Sequence, residues 1–166
     1  MRGGHPRSEL QSRSMKHWLM KSEPDECSID DVLAAPGRKT PWSGVRNYQA
    51  RNFMRDEMRV GDGVLFYHSS CDEPGIAGIA EIGSAAYTDA SQFDRRSPYY
   101  DPGSPKDSPR WVNVDVRALR KTRLVPLSEL RTHKALSGMR LLRPGNRLSI
   151  TPVSAAEWKH ITEKLV

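Results

Sequence analysis

About six short strands and a few short helices give a mixed α/β chain of the α+β kind, closest to a small twisted barrel with helices around it. Three stretches predict this class. Val112, Val114 and Val116 alternate with Trp111, Asn113, Asp115 and Arg117, the period of a strand with one apolar face. Val64-Leu65-Phe66-Tyr67-His68 is an unbroken, mostly apolar run suited to burial on both faces, and the turn Asp72-Glu73-Pro74-Gly75 leads it into a hairpin partner, Ile76 to Ile82. Ser154-Ala155-Ala156-Glu157 is a capping box that opens a closing helix with Trp158, Ile161 and Leu165 inward.

The remaining elements follow in order. His17-Trp18-Leu19-Met20-Lys21 reads as a first strand, stopped by the turn former Pro24. Ser28 caps a short helix from Ile29 to Ala35, with Asp31 in a loose capping-box position, and Pro36-Gly37 closes it. The helix after Trp42 is expected to place Val45, Tyr48, Ala50, Phe53 and Met54 near one broad face. Gly61-Asp62-Gly63 turns into the strand at Val64, and Tyr87 begins another short strand. Asp94 to Pro109 is a long irregular segment with four prolines, a length of loop that is often functional or mobile. The alternating strand runs from Trp111 to Leu119, Leu127 to Arg131 and Ala135 to Leu141 are short-helix candidates, and Arg147 to Pro152 is the last strand.

The chain has 166 residues, most simply one domain. Met1 to Ser14 is Arg/Ser/Gly-rich and lacks the apolar stretch of a signal peptide; it reads as a disordered tag or mis-assigned start, with the domain at 15–166. No apolar run approaches the ~20 residues needed to span a membrane. Cys27 and Cys71 fit a reducing compartment better than a disulfide scaffold, so the expected location is cytoplasmic, with association to a nucleoid allowed. Net charge is +6 and unevenly spread: residues 15–111 carry 12 Lys/Arg against 15 Asp/Glu, whereas 112–166 carry 11 against 4. That basic half suggests a polyanion, most commonly nucleic acid; a merely solvated basic surface is the alternative.

Catalytic signatures are weak. His68 and Cys71 are three residues apart at a strand end, with no nucleophile elbow around either cysteine. His17, His68 and Cys71 lack metal-ligand spacing, and Gly75-Ile76-Ala77-Gly78 lacks the Lys-Ser/Thr of a phosphate loop. Neither a cofactor nor a metal is expected. A nucleobase binder needs flat apolar walls, edge-reading polar groups and cations for the backbone. Trp42 and Trp111 are the wall candidates, with Tyr48 and Tyr67 behind them, while Trp18 and Trp158 fall within core periodicity. Ser22, Asn47 and Ser69 are small polar groups beside turns, equally suited to capping. Glu23 suits an exocyclic amine or a neighbouring arginine, and Arg46 a phosphate or a structural carboxylate. Arg117, Arg120, Lys121, Arg123, Arg143 and Arg147 are the candidates for nucleic-acid backbone contact.

Several motifs together resemble the EVE domain, of the thymocyte nuclear protein type. They are Lys21-Ser22-Glu23-Pro24-Asp25, Trp42-Ser43-Gly44-Val45-Arg46-Asn47-Tyr48-Gln49-Ala50-Arg51-Asn52, Leu65-Phe66-Tyr67-His68-Ser69 and Gly75-Ile76-Ala77-Gly78-Ile79-Ala80. Gln92-Phe93-Asp94, Tyr99-Tyr100-Asp101-Pro102, Pro109-Arg110-Trp111 and Leu148-Ser149-Ile150-Thr151-Pro152-Val153 continue the likeness in matching order. The resemblance implies a PUA-like fold and a pocket for a modified base, such as modified cytosine in DNA or a modified RNA base. It carries Ser22, Glu23, Trp42, Val45, Asn47, Tyr48, Tyr67, His68 and Ser69 onto that pocket, with Trp111 a looser transfer. Cys27 departs from the aromatic residue typical of the family after SEPDE.

The expected function is therefore a non-catalytic reader that takes a modified base of DNA or RNA into an aromatic and polar pocket. It leaves room for a separately encoded partner with nuclease or processing activity. Two alternatives stay open: a PUA-like module reading tRNA or rRNA shape without a modified base, and a small hydrolase or transferase on a nucleotide using Glu23 and His68.

Overall fold

The structure, a computed structural model, describes residues 14–166, so the extension read at 1–14 lies, except for Ser14, outside the described residues. The elements are β1 (His17–Ser22), α1 (Ile29–Ala34), β2 (Lys39–Trp42), α2 (Tyr48–Asn52), β3 (Gly63–His68), β4 (Gly75–Ile82), β5 (Tyr87–Thr88), β6 (Val112–Pro126), α3 (Leu127–Leu130), β7 (Ile150–Val153) and α4 (Ala155–Lys164). The sheet runs β2-β6-β4-β3-β1-β7, with the two-residue β5 added beside β6. Neighbours are antiparallel except β1 and β3, which run parallel with Leu19 opposite Leu65 and Ser22 opposite His68.

The α+β class and PUA-like layout stand, with one strand more than the sequence indicates and a sheet that is not closed. The additional strand is β2, whose four residues include a lysine and a proline. Pro41 has no N–H to donate, which suits an edge strand and hides the strand from a propensity reading. Its edge and that of the four-residue β7 do not pair with each other, so the sheet is barrel-like but open. β6 continues past Leu119 to Pro126, because its bulged pairing with β4 carries the polar stretch Arg120–Arg123 along as strand. The helix after Trp42 starts only at Tyr48 and passes into a π-helical turn, Phe53–Glu57. That start leaves Val45 buried ahead of the helix and Tyr48 half exposed, off the expected apolar face. The candidate at Ala135–Leu141 resolves into two 3₁₀ turns, Lys134–Leu136 and Arg140–Leu142.

Both sheet faces are covered. Trp18 and Met20 of β1 pack with Phe66, Val114 and Val116 beneath Ile29 and Val32 of α1 and Ala50, Phe53 and Met54 after Asn47. Leu19 points the other way, with Leu65, Tyr67 and Ile76, against Leu130, Leu136, Met139, Ile161 and Leu165. At Gly78 a Cβ would come within 2.5 Å of Ile29, so α1 sits directly on the strand there. Both capping boxes form: Ser28 with Asp31 on α1, and Ser154 with Glu157 on α4. Fully buried Asp62 ties the first strand down, accepting from the Trp18 indole (3.1 Å) and the Arg59 amide (3.0 Å).

Candidate functional site

Parallel pairing brings the carboxyl ends of β1 and β3 side by side, and β7 enters from the other side. The Lys21 amide donates to Ser149 O and the Ser69 amide to Ser22 O, each at 2.9 Å, which joins three segments far apart in sequence. The turn after β1 folds on itself: the amides of Glu26 and Cys27 donate to Glu23 O, and the Ser22 hydroxyl donates to Cys27 O at 2.6 Å. Facing this turn is the end of β2 with the following loop, Trp42 to Arg46. Between them lies an open cleft of about 490 Å³.

The second wall is held by a residue with no local signature, Asp89. Its buried carboxylate accepts from the Gly44 amide (2.9 Å), Arg46 Nη1 (3.0 Å), the Ser91 amide (2.9 Å) and the Ser91 hydroxyl (2.6 Å). Asn113, oriented to satisfy its neighbours, donates to Trp42 O and Asp89 Oδ2 and accepts from the Ser43 hydroxyl, all at 3.3 Å. Burial alone would raise the Asp89 pKa; the hydrogen bonds from Ser91, Gly44 and Arg46 outweigh it and hold the carboxyl below the usual range. Arg46 also donates to Tyr99 O through Nε (3.1 Å) and Nη2 (2.8 Å). Its guanidinium lies 5.5 Å from the Tyr99 ring and 5.4 Å from the Trp111 ring.

Tyr99 belongs to the long proline-rich loop, which Gln92 pins at both ends by donating to Asp89 O and Trp111 O and accepting from the Ser104 hydroxyl and the Trp111 amide. The Tyr99 ring rests on the backbone of Gly44. A Cβ at that position would meet the ring at 2.7 Å, and φ of +78° already favours glycine. Tyr99 keeps 38% of its surface exposed, so it is the most open aromatic side chain on the cleft, whereas Trp42, edge-on to Phe66 at 5.6 Å, shows 9%.

Of the residues expected in a base pocket, the cleft is lined by Ser22, Glu23, Trp42, Val45 and Ser69, and of the expected backbone cations by Arg46 and Arg147. Lys21, Cys27 and Tyr99 also line it and were not singled out as site residues from sequence. Five expected residues lie elsewhere. Asn47 caps α2, its side-chain oxygen accepting from the Ala50 amide at 3.0 Å. Tyr48 lies against Trp111, the rings tilted by 30° with centroids 4.9 Å apart. Trp111 is itself buried behind the wall, its indole donating to Asp101 at 2.8 Å. Tyr67 points into the second core cluster, because successive strand residues face opposite ways and its neighbour Phe66 packs in the first. His68 accepts at Nε2 from the Ile29 amide (3.1 Å), serving the first turn of α1, and burial lowers its pKa.

Of the two roles expected for Arg46, a phosphate or a structural carboxylate, the bonds described show the second, with Asp89 as the carboxylate. Lys121 pairs with Asp30 (3.0 Å) and Arg123 with Glu129 (2.6 Å). Arg117, Arg120 and Arg143 are exposed and make no ion pair or side-chain hydrogen bond among the described residues. Inside the cleft, burial lowers the Lys21 pKa. Burial, with the nearby Asp31 charge, raises that of the Cys27 thiol against an opposing Thr40 hydrogen bond, so the thiol stays protonated at neutral pH. Among the described residues no cluster of His, Cys, Asp and Glu could hold a metal ion, and no helix is long and apolar enough to cross a membrane.

The profile of the EVE domain matches residues 16–164. The chain belongs to the EVE domain family. This EVE domain is 45% identical over 162 residues to human thymocyte nuclear protein 1, covering 87% of this chain and 72% of the human one; the chicken protein of the same name is 46% identical and covered over 66% of its length. Among solved structures, a Pseudomonas syringae protein is 44% identical with a TM-score of 0.84, over 89% of this chain and 97% of its own. Human THYN1 protein, solved in complex with 5-methylcytosine containing DNA, is 43% identical with a TM-score of 0.83, over 89% and 96% of the two chains. The vertebrate relatives' names overturn the cytoplasmic location expected from sequence. Its physical basis was two free cysteines, and reduced thiols are as usual in the nucleus as in the cytosol.

Proposed function

We propose that this EVE domain is a non-catalytic reader of nucleic acid that admits a modified base, 5-methylcytosine in DNA being the foremost candidate, into the cleft between the Ser22–Cys27 turn and the Trp42–Arg46 wall. The observation that carries the reading is the cleft itself. Its volume, about 490 Å³, is that of a small-ligand site, and it sets apolar Trp42, Val45 and Tyr99 opposite hydroxyls and charged groups. The human relative of the same fold, solved with 5-methylcytosine containing DNA, supports DNA over RNA as the first ligand to test.

The polar groups around the cleft support binding rather than turnover. Asp89 and Arg46 hold each other and the wall, and the Nε2 of His68 is engaged by Ile29 instead of facing Glu23. Extracting a base from a duplex costs a few kcal/mol, and stacking on an aromatic returns about 1–3 kcal/mol. A buried methyl adds about 0.8 kcal/mol, which is about fourfold in affinity. Discrimination of a methylated from an unmethylated base is therefore several-fold, on top of a salt-sensitive attraction to the backbone. Exposed Arg117, Arg120 and Arg143 favour, as a second reading, a contribution from nucleic-acid shape independent of modification.

Fluorescence anisotropy with otherwise identical DNA carrying cytosine or 5-methylcytosine, at low and high salt, tests the proposal. Several-fold preference for the methylated strand and weakening with salt are expected. Equal binding at low salt would leave only the shape reading, and affinity indifferent to salt would remove nucleic acid from consideration.

A further inference from the structure

We propose that Lys21 and Arg147 form a phosphate subsite at one end of the cleft, which takes the phosphate of the nucleotide whose base lies against Trp42 and Val45. The inference rests on the base-reading function above and adds the group that would orient the nucleotide within the cleft.

Lys21 is the last but one residue of β1, and its backbone amide is fastened to Ser149 O. Arg147 stands two residues before Ser149, so the pairing of these segments places both cations on the β1–β7 side, while Trp42, Val45 and Tyr99 form the wall opposite. The Lys21 side chain is half-buried and, like that of Arg147, makes no ion pair or hydrogen bond with any described residue. Charges withdrawn from water are normally paired, so an unpaired ammonium in a cleft is poised for an anion supplied by the ligand. Burial accounts for the lowered pKa of Lys21, with no opposing carboxylate contribution. Glu23 and Glu26 also line the cleft, but both are solvent-exposed and neither reaches ion-pair distance of Lys21. Their repulsion of a phosphate is therefore screened by water more than the attraction of the half-buried ammonium. The hydroxyls of Ser69 and Ser149, which make no hydrogen bond among the described residues, line the same region and suit the remaining phosphate oxygens.

A nucleotide so held has its base and its phosphate fixed at two points, which gives one orientation in the cleft where a base alone has several.

The test is titration of the wild-type protein, Lys21→Gln and Lys21→Arg with 5-methyl-2′-deoxycytidine, its 3′- and 5′-monophosphates and inorganic phosphate, followed by tryptophan fluorescence. At least one monophosphate is expected to bind wild type about tenfold more tightly than the nucleoside, the scale of a charge-assisted contact. Lys21→Gln should lose that advantage, the monophosphate then binding no more tightly than the nucleoside does to the same variant, and Lys21→Arg should keep most of it. Carbon-13 NMR of the lysine Cε should show the Lys21 pKa rising when the monophosphate binds, which a purely structural lysine would not do. An advantage that survives Lys21→Gln, or is absent from wild type while the nucleoside still binds, overturns the subsite and leaves the base reading standing. Inorganic phosphate binding as tightly as the monophosphate overturns the link between phosphate and base. Failure of both nucleoside and monophosphates to bind wild type overturns the base reading and the subsite with it.

Discussion

Replacing Asp89 by alanine removes the buried carboxylate that joins Gly44, Arg46 and Ser91 in the cleft wall. The carboxylate receives two backbone amides, a hydroxyl and a guanidinium, and is 1% exposed. Hydrogen bonds to a charged group contribute about 1.5–3 kcal/mol each, and breaking a buried ion pair from one side costs about 3–5 kcal/mol. Arg46 keeps 22% of its side chain in water and four other contacts, so the lower end, about 3 kcal/mol, is expected. For a domain of this size that lowers Tm by about 6–12 °C. The Gly44 and Ser91 amides lose their acceptor, and Tyr99, which rests on Gly44 and Arg46, loses its seat. Asp89→Ala should therefore weaken ligand binding beyond any loss explained by unfolding at the assay temperature. Differential scanning calorimetry and binding at 15 °C separate the two. The sign of the pH effect is fixed: a carboxyl held below its unfolded value contributes stability fully above about pH 4, and that contribution drains away as pH falls through the folded pKa. In Asp89→Asn this acid limb should shrink. An Asp89→Ala protein within 1 kcal/mol of wild type, with an unchanged acid limb, would refute the reasoning.

Gly44→Ala places a Cβ against the Tyr99 ring at a positive φ and should cost about 1–3 kcal/mol in denaturant melts while closing part of the cleft. His68 has a pKa lowered by burial and accepts from Ile29, so stability is full above about pH 6.5 and falls as pH drops toward the folded pKa; urea midpoints between pH 7 and 5 should decline less in His68→Gln. His17 is shifted the same way and leaves a residual decline. Ser154→Ala removes the capping hydroxyl of α4 and should cost about 1 kcal/mol by thermal unfolding, with ligand affinity untouched.

What the sequence disclosed is what local pattern encodes. The alternation of Val112, Val114 and Val116, the doubly buried run from Val64 to Tyr67 and the capping boxes at Ser28 and Ser154 each depend on neighbours within a few residues, and each appears where expected. Pro41 concealed β2 because an edge position excuses its missing donor. Asp89 was invisible for another reason: its partners at Gly44 and Arg46 are 45 and 43 residues away, and a single carboxylate among 20 acidic residues carries no spacing to read. The convergence of Ser22, Ser69 and Trp42 on one cleft follows from motifs at strand ends. Tyr67, in contrast, shares its motif with cleft-side residues, but strand alternation with Phe66 puts the two on opposite faces. The expected function weighted Trp111, which is buried, and passed over Tyr99, whose setting depends on a loop closed by the long-range bonds of Gln92.

The central claim is that the modified base enters the cleft, and the most direct measurement locates its methyl group. An unlabelled DNA oligonucleotide with one 5-methylcytosine, bound to the uniformly carbon-13-labelled protein, reports the neighbours of that methyl through isotope-filtered nuclear Overhauser effects. The account predicts cross-peaks from that methyl to the Val45 methyls or the Trp42 and Tyr99 ring protons. Cross-peaks to the Arg117–Arg120 face of β6 instead, with none to the cleft, would contradict it.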